Sequence, residues 1–134
     1  MLNSLEKSNL KEIKRLNQRG GRSLSIIDLL KDGTVDSGIA GFLLYSMANS
    51  LSFITAANPS GTGKTTLMGT ILNLLKPGVK IRTLERNFSI NKGESDKCYL
   101  VHEIGKGPYY SYLWGEDIAR FFRIAESGTA ASCI

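Results

Sequence analysis

The chain has 134 residues, 42% hydrophobic and 22% charged, with a formal net charge of +5. That composition excludes a disordered or fibrous chain and fits one globular domain able to bury a core. The excess charge is local: Lys7, Lys11, Lys14, Arg15, Arg19 and Arg22 stand against Glu6 and Glu12 in the first 22 residues, +4 of the total, so the nearly neutral remainder is not expected to bind nucleic acid.

Leu2, Leu5, Leu10, Ile13 and Leu16 recur at near-helical spacing between charges, which predicts an amphipathic first helix broken by Gly20 and Gly21. Its basic side reads as a solvated face. Ser23 can cap a short second helix in "LSIIDLLKD", with Gly33 in the left-handed position past its end. Asp36 or Ser37 caps a third helix in "VDSGIAGFLLYSMAN", with Ile39, Leu43 and Met47 on one face and Phe42 beside them. The next run, "LSFITAA", is short, apolar and rich in β-formers. Asn49 and Ser50 separate it from "GFLLYSMA", so the two read as helix then strand and not as a membrane span of about 20 residues. The charged N-terminus lacks the apolar stretch of a secretory leader, and a cytoplasmic protein is expected.

After a Pro/Gly/Ser turn, "KTTLMGTILNLLK" reads as a helix stopped by Lys76, Pro77 and Gly78. "VKIRTLE" (79–85), "CYLVHEI" (98–104) and "YYSYLWG" (109–115) are strand candidates, with the polar "NFSINKGESDK" as a loop between the first two. "EDIARFFRIAES" is a helix with Ile118, Phe121, Phe122 and Ala125 inward, and "TAASCI" begins a last apolar run. Alternation should send Tyr110, Tyr112 and Trp114 to one face, where packing under a helix is the expected use and base stacking by these residues and Tyr109 the alternative. Cys98 and Cys133 have no metal or disulfide-framework spacing and read as buried thiols. Alternating strands and helices predict a mainly parallel α/β sheet flanked by helices, with ligands at the carboxyl ends of its strands.

Between "LSFITAA" and the following helix lies Asn58, Pro59, Ser60, Gly61, Thr62, Gly63, Lys64, Thr65, Thr66. The phosphate-binding loop pattern is G-x-x-x-x-G-K-[ST], and only Asn58 departs from it. Backbone N–H groups of such a loop point at phosphate oxygens, reinforced by the positive end of the helix dipole. Gly61 and Gly63 permit the close approach. Asn tolerates positive φ and can replace the first glycine, although Pro59 biases Asn58 toward extended geometry. Lys64 would neutralise the β- and γ-phosphates of ATP, Thr65 would take one Mg²⁺ position, and Thr66 would reach the α-phosphate.

Hydrolysis needs a carboxylate at the end of a neighbouring strand to order the attacking water. "CYLVHE" ends on His102 and Glu103, and "YYSYLWGED" ends on Glu116 and Asp117. His102, where an aspartate is usual, would be a poor Mg²⁺ partner and reads as a packed or surface residue.

"LWGEDIARFFRIAESGTAASCI" resembles the region of the type II/type IV secretion and pilus-assembly ATPases in which a strand ends in Gly-Glu and a helix and a Ser/Thr-Gly-His segment follow. "GRSLSIIDLLKDGTVDSGIAGFLLYSMANSLSFITAANPSGTGKTTLM" is similar to the stretch leading into and through that family's phosphate loop, and "IRTLE" resembles its acidic box. The likeness covers about residues 23–134 and implies a RecA-like P-loop NTPase core (36–134) behind a basic helical segment or linker (1–35). It also implies a Mg²⁺-dependent motor ATPase that works as a ring, commonly a hexamer, on a membrane-embedded secretion, pilus or archaellum-like platform, peripheral to the inner face of the membrane. Glu116 takes the role of the water-activating glutamate and Mg²⁺ ligand, Glu85 that of the acidic-box glutamate, and Arg19 or Arg22 that of a linker arginine reaching phosphates, with a solvated arginine as the plainer reading. Arg86 and Thr129 depart from the family's acidic residue and histidine. The family's larger N-terminal domain and the end of its Thr-x-His-Ala box are not seen, so the chain reads as a fragment or the first part of a compact member, incomplete at its C-terminus. Two other classes remain open: a nucleotide-binding module without turnover and a P-loop small-molecule kinase.

Overall fold

A computed structural model describes residues 1–17, 20–59, 61–129 and 131–134. Its helices are α1 (Ser4–Leu16), α2 (Ile26–Lys31), α3 (Ser37–Ala48), α4 (Lys64–Leu72) and α5 (Glu116–Glu126), and its strands β1 (Lys80–Thr83), β2 (Lys97–Leu100), β3 (Glu103–Ile104), β4 (Tyr112–Leu113) and β5 (Ala131–Cys133). The main sheet is parallel in the order β1-β2-β5, with Leu100 opposite both Thr83 and Cys133. Residues 51–55 extend it past β5: Phe53 N–H donates to Ser132 O (3.0 Å), Thr55 N–H to Ile134 O (2.8 Å) and Ile134 N–H to Phe53 O. Four parallel segments thus end on one side of the sheet. β3 and β4 form a separate two-stranded parallel pair.

The expected mixed α/β fold, a small parallel sheet flanked by helices, is present. Its physical basis is alternation within strands buried on both faces. Cys98, Leu100, Ala131 and Cys133 meet Ile13, Leu16, Met47, Met68 and Ile71 from α1, α3 and α4. Tyr99, Val101 and Ile134 meet Phe121 and Ile124 of α5 on the other face, with Leu113 from β4. Cys98, Tyr99, Leu100 and Val101 are all 0% exposed, so β2 is the centre of both layers. The two thiols are buried as expected, with 3.8 Å between their sulfurs, and burial pushes the Cys133 thiol up.

Several local expectations shift. Ser25, not Ser23, caps α2: its hydroxyl accepts from Asp28 N–H while the Asp28 carboxylate accepts from Ser25 N–H, a reciprocal pair that Ser23 cannot make. Asp36 caps α3, whose inward residues are Ala40, Leu43 and Met47, whereas Ile39 and Phe42 face solvent. In α5, Phe121 and Ile124 are buried and Phe122 is 40% exposed. "CYLVHEI" divides into two strands because the backbone changes partner: Val101 N–H donates to Cys133 O and His102 N–H to Ser111 O. "YYSYLWG" contributes only Tyr112 and Leu113 to a strand, and Tyr110 and Trp114 are 74% and 57% exposed, so they do not pack under a helix. No helix among the described residues is long and apolar enough to cross a membrane.

Candidate functional site

The carboxyl ends of 51–55, β1, β2 and β5 share one side of the sheet, and the loop 58–66 leaves from the first of them. Ser60 and Arg19 lie outside the described residues. Asn58 is not among the positive-φ residues, as expected for a residue before proline, and its bond to Pro59 is cis. Gly61 (φ +88°) and Gly63 (φ +95°) adopt the left-handed geometry that favours glycine. A Cβ on Gly63 would meet open space, so that position needs glycine for its dihedral and not for room. The Thr62 hydroxyl donates to Pro59 O at 3.0 Å and closes the turn.

Gly63 is the N-cap of α4, with no side-chain cap, and the first helical bond runs from Leu67 N–H to Gly63 O (2.9 Å). The N–H groups of Lys64, Thr65 and Thr66 precede that bond and have no acceptor within the helix. Together with the helix dipole they form a place for an anion. Thr65 and Thr66 are exposed, and Lys64 is half-buried.

The Lys64 ammonium lies 2.5 Å from Glu103 Oε2, and this is the carboxylate that the structure brings to the loop lysine. Glu103 stands where the chain has left β2 and begins to pair with Tyr112. Glu116 is exposed at the first turn of α5, ion-paired to Arg123, whose guanidinium holds its carboxyl below the usual range. The Glu85 carboxylate pairs with Arg15 at 3.2 Å. Neither is joined to Lys64 by a contact in the described residues. Reasoning from the sequence placed Glu103 at a strand end; what was missing is the break of pairing at Val101 and His102 that aims it at the loop.

His102 lies beside these groups. Its Nε2 is buried without a partner among the described residues, and its pKa is lowered from 6.5 to about 4 by burial first and by the charge of Arg15 second, against Glu12 and Glu85. The ring is therefore neutral at pH 7, a packed histidine and not a cation for phosphates. Glu12 closes the group from α1, accepting from Thr83 Oγ1 at 2.5 Å and pairing with Arg15 at 3.3 Å.

Two arginines have roles that the motifs did not signal. Arg86, where the family resemblance expected an acidic residue, donates from its guanidinium to Gly107 O, Tyr109 O (3.1 Å) and Tyr112 O (3.3 Å), and its N–H donates to Tyr110 O, so it ties down the loop between β3 and β4. Arg22 pairs with Asp28 at 3.0 Å and lines a cleft shared with Thr65, Thr66 and the end of α1. Thr129, where the resemblance expected a histidine, faces Ser132 Oγ at 3.1 Å. No cluster of three or more acidic, histidine or cysteine side chains suited to a metal occurs among the described residues. Comparison of the chain with protein families, with curated proteins and with solved structures returned no match.

Proposed function

We propose that the chain binds Mg²⁺-ATP through residues 58–66 and forms the core of a P-loop ATPase, RecA-like and of the secretion and pilus-assembly type. The observation that carries this reading is the junction of the left-handed Gly61 and Gly63 with the uncapped start of α4, Lys64 standing at the carboxyl side of a parallel sheet. The position of β5 between β2 and the segment entering the loop supports such a core. In this assignment the N–H groups around Lys64, Thr65 and Thr66 take phosphate oxygens, and Lys64 neutralises the terminal phosphates. The donor set fits Mg²⁺, which draws most of its ligands from water and phosphate: the Thr65 hydroxyl would hold it, with Glu116 as the carboxylate, and the ion would supply charge neutralisation at the phosphates.

Thermal unfolding with and without Mg²⁺-ATPγS tests the reading. Ligand at about 100 times its dissociation constant adds roughly 2.7 kcal/mol to the native state. Lys64→Ala abolishes that gain, while an equal gain in both proteins removes the loop from the site.

Turnover is proposed for Glu116 and Glu85, with the chain working in a ring, commonly a hexamer, on a membrane-embedded secretion, pilus or archaellum-like platform at the cytoplasmic face. Glu116→Gln and Glu85→Gln should then each lower the ATPase rate at least about tenfold while sparing nucleotide binding. A second reading, binding without turnover, has its own support: Arg123 and Arg15 already occupy those two carboxylates. Stabilisation by nucleotide with no phosphate release, alone or in the assembled ring, decides for it. A small-molecule kinase would release ADP only with an acceptor, and it rests on no observed acceptor site.

A further inference from the structure

Lys64 and the start of α4 differ in one respect. Among the described residues the helix N–H groups at Lys64, Thr65 and Thr66 have no side-chain cap, whereas the lysine next to them already has an anion, the Glu103 carboxylate at 2.5 Å. The position of that carboxylate is built. His102 N–H donates to both Ser111 O (3.1 Å) and Ser111 Oγ (3.2 Å), and Glu103 and Ile104 are paired with Tyr112 and Leu113. Arg86 in turn holds the carbonyls of Tyr109 and Tyr112. Glu103 is thus presented from an anchored backbone, its side chain 40% exposed, while that of Lys64 is 19% exposed. Glu85 and Glu116 are taken by other cations, Glu85 by Arg15 and Glu116 by Arg123.

We propose that Glu103 is an internal competitor for phosphate: its carboxylate takes the place on Lys64 that the terminal phosphates of a nucleoside di- or triphosphate would take, so these ligands bind only as Glu103 leaves. The proposal rests on the reading of 58–66 as a phosphate site. A competitor of this kind lowers the apparent affinity of every ligand that needs Lys64 by one common factor, the inverse of the fraction of protein in which the lysine is free. Because both side chains are partly hydrated, that factor is modest, roughly threefold to tenfold at low ionic strength.

The test is calorimetric titration of the full chain with sodium pyrophosphate and, separately, with ATPγS, at low salt. Glu103→Gln should bind both ligands tighter than wild type by the same factor, about threefold to tenfold. Glu103→Asp keeps the charge and should stay within about twofold of wild type. Glu6→Gln, which removes an equal charge at the start of α1, should change neither affinity by more than about twofold, separating local competition from long-range repulsion. Equal or weaker binding by Glu103→Gln overturns the proposal, as does an equal gain in Glu6→Gln. If wild type and Glu103→Gln bind alike and Lys64→Ala does not bind, the competitor alone is wrong. If none of these proteins binds either ligand, the phosphate site falls with it.

Discussion

The two edges of the main sheet are managed in opposite ways. At the β1 edge, α1 lies alongside and Asn9 acts as a substitute strand: its Nδ2 donates to Val79 O at 2.8 Å and its Oδ1 accepts from Ile81 N–H at 2.9 Å. Glu12 adds a bond to Thr83 on the same strand. At the other edge, Phe53 and Thr55 bond inward to β5, while the N–H and C=O groups of Ser52 and Ile54 have no partner among the described residues, and Ile54 is 64% exposed. An unpaired, apolar edge is a liability that folded proteins usually cover or charge. Here the covered edge is the one far from loop 58–66, and the open edge leads straight into it. Among the described residues β1, β2 and β5 are bonded on both sides, and the segment entering the loop is bonded on one side only.

The largest disruption should come from the strand that both edges lean on. Leu100→Ala empties a fully buried position in the centre of the sheet and should cost about 2–5 kcal/mol in urea unfolding, a loss under 1 kcal/mol showing that β2 is not the centre of the core. Next is the closed edge under acid. His102 has a folded-state pKa of about 4 against 6.5 ordinarily, so the unfolded chain binds its proton more readily. Its contribution is complete above about pH 6.5 and is lost as pH falls toward 4, a decline of order 3 kcal/mol. His102→Gln should flatten that part of the stability profile, and an unchanged slope would assign it to other groups. Smaller again is Asn9→Ala, which leaves Val79 C=O and Ile81 N–H unpaired and should cost about 1–3 kcal/mol, with faster hydrogen exchange at the Ile81 amide. Retained protection at Ile81 would mean that another group covers the edge.

These residues also mark what could be read in advance. Local rules were sufficient where the answer is local: the capped start of α3, the left-handed Gly33 past α2 and the parallel strands flanked by helices follow from a few neighbouring residues. Asn9 could have been noticed, since it continues the spacing of Leu5 and Ile13 along the inward stripe of α1, where a polar side chain needs a partner. Glu103 could be listed but not chosen. Its meeting with Lys64 depends on the point at which the backbone turns from Cys133 to Ser111, a non-local event that no spacing records. The aromatic run 109–114 misled because alternation was applied to a segment that is mostly not a strand: Ser111 and Leu113 are buried and the rings of Tyr110 and Trp114 point outward.

The open edge supplies the smallest effect and the sharpest contrast. Ile54→Lys places a charge on an exposed side chain whose backbone bonds nothing on its far side among the described residues, so the unfolding free energy should change by no more than about 0.5 kcal/mol. The same edge should show alternating amide protection by hydrogen exchange: slow at Phe53 and Thr55, which donate to β5, and fast at Ser52 and Ile54, which face outward. Uniform protection across 52–55, or a loss above about 1 kcal/mol in Ile54→Lys, would mean that this edge is covered too. The asymmetry between the two edges would then vanish, and with it the argument that loop 58–66 leaves from the less constrained side of the sheet.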